Sequence, residues 1–209
     1  MIEVLLKGIG VGLAIAAPVG PIGLLCIRRT LIDGRAAGLA TGLGAATADA
    51  VYGMMVAAGF AASGVLVAHA GPMALAGGLL VAALGAMSLR GYWAARHRPA
   101  PQAAGQGRPY RGVVAAWAST FALTLSNPMT ILAFIGMVAA LGSAASGAPL
   151  APYVLVIGVF AGSALWWLML VHMALFAGRR MDAAAMRWLD LVSGSVLLVW
   201  GGWIAAKAL

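Results

Sequence analysis

The stretch Ala17-Pro18-Val19-Gly20-Pro21 lies inside the first long apolar run of the chain, and its reading decides the fold. Two prolines three apart remove two backbone donors and set two rings against earlier carbonyls, so a continuous helix breaks there. Lipid cannot satisfy the freed polar groups; the break must therefore face protein or a water-filled cavity. A second break, Ser126-Asn127-Pro128, falls inside a later apolar run. Two interrupted spans in corresponding positions of two halves point to the binding centre of a secondary transporter. A single kink used only for packing is common in membrane helices, but two symmetric ones favour the functional reading.

Composition sets the class. Of 209 residues, 63% are hydrophobic and 9% charged, and the apolar residues come in runs long enough to cross a bilayer. No period-two alternation marks an outer-membrane barrel. The net charge of +8 does not imply nucleic acid, because the basic residues sit in the gaps between apolar runs. The lone Cys26 excludes a disulfide framework and reads as a small packing residue. Ala14-Ile15-Ala16 looks like a signal-peptidase site, but apolar character continues to Ile27, so the first segment is expected to be retained.

Six spans are expected, at roughly 8–27, 38–62, 70–89, 113–141, 150–177 and 188–206. Eleven of the thirteen Lys and Arg residues fall in three loops on one side (28–37, 90–112 and 178–187), leaving Lys7 and Lys207 on the other. The positive-inside rule makes those loops cytoplasmic and places both termini outside. The linker from His97 to Gly107 is Pro/Gly-rich and polar, a cytoplasmic tether. It divides a first three-helix repeat (1–92) from a second (113–209), with 93–112 between them. Three spans per half force the halves into opposite orientation, so the fold class is all-α: a polytopic membrane protein of two inverted three-helix repeats, the first helix of each broken at proline.

Gly20 before Pro21, and Asn127 before Pro128, each provide a cap followed by proline at the first helical turn. The half-helices they open expose free N–H groups suited to a carboxylate. Asp49 is the one acidic residue well inside a span. An Asp at mid-membrane costs about 2.5–3.5 kcal/mol on insertion scales, so a proton, a cationic substrate group or hydrogen bonds must compensate. A permanently protonated, structural Asp is the bland alternative. Tyr52 is placed to donate to Asp49 or line the cavity. Gly38 and Gly42, with Ala46 and Ala50, repeat every four residues as a close-packing face, and Gly158 and Gly162 form a shorter one. Arg28 and Arg29 are expected to anchor the cytoplasmic end of the first span. His172 reads as a packing histidine at least as well as a proton relay. Trp166, Trp167, Trp200 and Trp203 read as lipid-facing or interfacial aromatics.

These residues resemble the LysE/RhtB amino-acid exporter family. Pro18-Val19-Gly20-Pro21, then Gly34 and Gly38 leading to Gly42, Gly44 and Asp49, and later Ser126-Asn127-Pro128, carry the resemblance over essentially the whole chain. It implies export of amino acids or related small metabolites across a bacterial inner membrane, driven by the proton motive force, and a homodimer. Ile22-Gly23 departs from the Gln-Asn of the basic-amino-acid branch, so lysine or arginine does not follow as substrate. Together, residues and resemblance give a substrate site of Pro18, Gly20, Pro21, Asp49, Tyr52, Asn127 and Pro128, with Asp49 coupling to protons. No cofactor, metal or nucleic acid is expected. Efflux of a divalent cation such as cadmium stays open as an alternative substrate class, although soft ligands are lacking, while a single cysteine cannot carry dithiol chemistry. A non-transporting assembly protein or a passive channel is the competing class. An enzyme is not expected, since no nucleophile–base pair lies near a span.

Overall fold

The computed structural model describes residues 1–18, 20–58, 70–95, 112–127, 130, 134, 150–181 and 183–208. All regular structure among them is helical: α1 Ile2–Ala16, α2 Pro21–Ile32, α3 Arg35–Ala57, α4 Ala70–Ala95, α5 Val113–Leu125, α6 Ala151–Gly178 and α7 Ala183–Lys207. Three of them (within α4, α6 and α7) are long and apolar enough to cross a membrane, and α1 with α2 makes a fourth if the bent pair is one span. Val114, Ile157, Met173, Val199 and Trp203 are more than half exposed on the helix surfaces. In water such a surface would aggregate; in a bilayer it is the lipid face. An apolar groove on α7, between Val196, Val199, Trp200 and Trp203, belongs to that outer surface.

The first expected span differs from a kinked helix over 8–27. Helix α1 starts at Ile2 and ends at Ala16, and α2 leaves the break at 84° to it. At 1.5 Å per residue α1 spans only about 22 Å, less than the hydrocarbon thickness. The second half-helix runs on through Arg28 and Arg29, which belong to α2 and not to a loop. Gly20 caps α2 in extended conformation and Pro21 is its first residue. The second expected span is α3 as far as Ala57, its remainder lying partly outside the described residues. The fourth is α5 as far as Leu125; residues 128–129 and most of 131–149 also lie outside them.

Glycines set the packing, because they let backbone meet backbone. A methyl group at Gly8 would stand 2.5 Å from the Leu155 carbonyl, and one at Gly12 would collide with the Val159 carbonyl, so α1 and α6 run parallel. Gly44 meets Trp117, and Tyr52 meets Leu125, so α3 and α5 are parallel too. Gly42 packs on Trp167 and Gly53 on Val156, which makes α3 and α6 antiparallel. Gly78 packs on Gly201 and Gly85 on Gly194, making α4 and α7 antiparallel. The alternation of span direction that the basic loops imply requires each of these four directions.

Candidate functional site

The site is built where α3 is thinnest. Gly42, Asp49 and Gly53 follow one another at seven and four residues, a spacing that keeps them on one stripe of the helix. The stripe faces α6, since a methyl at Gly42 would stand 2.5 Å from Trp167 Cβ and one at Gly53 3.4 Å from Val156 Cγ2. Asp49 is therefore turned into the bundle and is only 3% exposed. Its hydrogen-bond partner among the described residues is Ser163 of α6, whose hydroxyl donates to Oδ2 over 2.6 Å and is itself fully buried. No ion pair among the described residues involves Asp49; the two present are Lys7–Glu3 and Arg28–Asp190.

Tyr52, one turn beyond Asp49, is fully buried and faces α5. Its hydroxyl donates to the carbonyl of Leu125, the last residue of α5, and its ring stacks on Phe134 at 5.5 Å. The second break comes immediately after Leu125: the Asn127 N–H bonds to the Thr124 carbonyl, and the Thr130 N–H to the Asn127 carbonyl. Pro128 lies outside the described residues. On the other side, Ala16 at the end of α1 and Ile22 at the start of α2 pack in one cluster with Ala45 and Ala46, just before Asp49. The two breaks thus flank the acid. Pro18 is exposed and Pro21 half-buried, and a side chain at Gly20 would meet open space. These three act through the backbone turn they impose, while Asp49 and Tyr52 present side chains.

The four packing glycines all lie at close approaches: Gly38 against Thr30, Gly42 against Trp167, Gly158 against Leu5 and Gly162 against Ile9. Trp167 corrects an expectation. It is 7% exposed and fills the space opposite Gly42, whereas Trp200 and Trp203 are exposed on α7 as expected of lipid-facing aromatics. His172 is exposed, and its Nδ1 lies 2.7 Å from the Leu168 carbonyl of its own helix, away from the acid.

Two features were missed in the sequence. One is Ser163. The other is Arg29, which is 7% exposed and does not reach solvent as an anchor would. Its guanidinium donates to Thr41 Oγ1 (3.2 Å), the Ala116 carbonyl (3.1 Å), Thr120 Oγ1 (3.1 Å) and Ser119 Oγ (2.9 Å), tying α2 to α3 and α5. Beside it Arg28 reaches Asp190 of α7 at 2.7 Å. Asp33, at the end of α2, has its carboxyl pushed above the usual range by burial, which outweighs the attraction of Arg28 and Arg29.

A carboxylate in an apolar bundle with one neutral donor can hold a proton or a cationic group in turn. A serine hydroxyl suits that exchange, because it donates to the charged form and can accept from the protonated one. Among the described residues no three His, Cys, Asp or Glu side chains converge as a metal site would require. No curated protein and no solved structure matches the chain. A family model for the LysE type translocator matches residues 13–207, nearly the whole length and including both breaks, Asp49 and Ser163. The chain belongs to the LysE type translocator family and is a membrane transporter.

Proposed function

We propose that this transporter exports amino acids or related small metabolites from the bacterial cytoplasm by proton antiport. The observation that carries the reading is the Asp49 carboxylate, buried between α3 and α6 and flanked by the two helix breaks. In the proposed cycle the N–H groups at the start of the half-helices hold the substrate carboxylate, at Gly20-Pro21 on one side and Asn127-Pro128 on the other. Asp49 holds the substrate ammonium and, alternately, a proton. Antiport results because two cations compete for one carboxylate, and rocking of the two halves exposes it to each side in turn. Tyr52 lines the site and fixes Asp49 against the second break. The basic loops lie in the cytoplasm, both termini in the periplasm.

The test is uptake of radiolabelled amino acids into proteoliposomes, with and without an imposed pH gradient. Gradient-dependent movement of at least one amino acid is the expected result. Movement of cadmium and of no amino acid would replace the substrate class. Movement of nothing would favour a non-transporting membrane protein.

A further inference from the structure

The helix contacts repeat themselves under exchange of the two halves. On α3, Gly42, Asp49 and Gly53 are spaced by seven and four; on α6, Val156, Ser163 and Trp167 have the same spacing. Exchanging one set for the other turns the Gly42–Trp167 contact into the Gly53–Val156 contact, and both are present. The Asp49–Ser163 bond is turned into itself. The same holds for α4 and α7, where Gly78 and Gly85 correspond to Gly194 and Gly201. Gly78 approaches Gly201 and Ala205, and, as exchange requires, Gly194 approaches Leu89 while Gly85 approaches Gly194. Gly85 meets the Leu198 backbone nitrogen, and its mate Gly201 meets the Ala82 nitrogen. Between the two parallel pairs, Gly158 on the Leu5 carbonyl is matched by Gly44 on the Trp117 carbonyl.

The geometry points to an internal two-fold axis that passes through the Asp49–Ser163 hydrogen bond, making Ser163 the second repeat's counterpart of Asp49 and a positioning residue for it. A contact that maps onto itself must lie on the axis; every other contact comes in a pair on either side. This inference rests on the proposed role of Asp49 and extends it. In an inverted repeat, inward- and outward-open states arise when the halves exchange conformations. A group on the axis is the one place equally related to both sides, so one carboxylate serves both. By the same symmetry, either residue of the pair can carry the acid.

The test exchanges them, as Asp49→Ser with Ser163→Asp. The probe is dicyclohexylcarbodiimide, which reacts with protonated carboxyls in apolar surroundings, with the adduct located by peptide mass. The pH profile of labelling is read in a setting with few other charges. Tyr52 is the titratable neighbour on α3, whose first residue is Arg35; α1 carries Glu3 and Lys7 at its exposed start, α2 carries Cys26, Arg28 and Arg29, described α5 carries none, and α6 carries Tyr153 and His172 towards its ends. Wild type labels at Asp49, Asp49→Ser does not, and the exchange variant labels at position 163 with wild-type pH dependence and regains gradient-driven uptake. An exchange variant that keeps Cys26 protected from maleimide, as the buried wild-type thiol is expected to be, yet neither labels nor transports, overturns the inference. Should an acid at 163 unfold the chain, Ser163→Ala decides. Loss of a donor to the charged form raises the protonated fraction, so at a pH where wild type is mostly ionised and labels slowly, Asp49 labels severalfold faster in Ser163→Ala; Ser163→Thr restores the slow rate, and an unchanged rate in Ser163→Ala overturns the pairing. Full proton-coupled transport by Asp49→Asn would instead remove the role of Asp49 itself, a separate failure.

Discussion

Arg29 shows what one residue contributes to holding the bundle. Its guanidinium is buried and makes hydrogen bonds to side chains and backbone of α3 and α5, with Arg28 beside it paired to α7. Removing the guanidinium takes a donor from three hydroxyls, each of which keeps its own bond to a backbone carbonyl, and costs about 1–3 kcal/mol. Arg29→Ala is therefore expected to lower the thermal midpoint in detergent by several degrees. Arg29→Lys is expected to recover little, because an ammonium cannot reproduce the planar fork that reaches Ser119 and Thr120 together. A midpoint equal to wild type in Arg29→Ala would show that the network is not structural. The sequence placed Asp49 correctly in the bundle, because a carboxylate inside an apolar span has nowhere else to go. It concealed Arg29, since an arginine at the end of an apolar run has the same local pattern whether it snorkels or turns inward. The difference lies in a set of hydroxyls about 90 residues away on α5.

At the scale of the helices, packing is decided by where backbone meets backbone. A methyl at Gly78 would stand 2.6 Å from the Ala205 nitrogen, and one at Gly162 would collide with the Ile9 carbonyl, whereas Gly10 and Gly202 have no atom within 4 Å. Rigid backbone cannot yield, and overpacking of this kind costs about 1–3 kcal/mol. Gly78→Ala and Gly162→Ala are expected to lower the yield of folded protein in detergent. Gly10→Ala and Gly202→Ala should be neutral or slightly stabilising, since alanine is worth about 1 kcal/mol more than glycine in a helix interior. Equal behaviour of the two pairs in size-exclusion profiles would contradict the packing. The breaks were legible because two prolines cannot hide in a helix. The depth of the first break was not: that α2 departs at 84° depends on its packing against α3, and no local rule sets that angle. Trp167 was misread for a similar reason. Its burial is fixed by Gly42 across an antiparallel contact, while the apolar neighbours on its own helix look the same on the lipid side.

The whole molecule is one arrangement of six expected spans whose directions match the basic loops. The parallel pairs α1–α6 and α3–α5, and the antiparallel pairs α3–α6 and α4–α7, all agree with those directions. Ser163 escaped the sequence reading because its partner is 114 residues away, and a serine in an apolar span carries no sign of it. Only the register of α3 against α6 brings the hydroxyl to the acid. Proton-coupled transport, as proposed, stands on that buried pair. It is tested most directly by gradient-driven amino-acid uptake in proteoliposomes containing wild type or Asp49→Asn, with folding checked by thermal unfolding. The predicted result is gradient-dependent uptake in wild type and its loss in the folded variant, which keeps the volume and a hydrogen-bonding group but cannot exchange a proton. Undiminished, fully proton-coupled uptake by Asp49→Asn would contradict it.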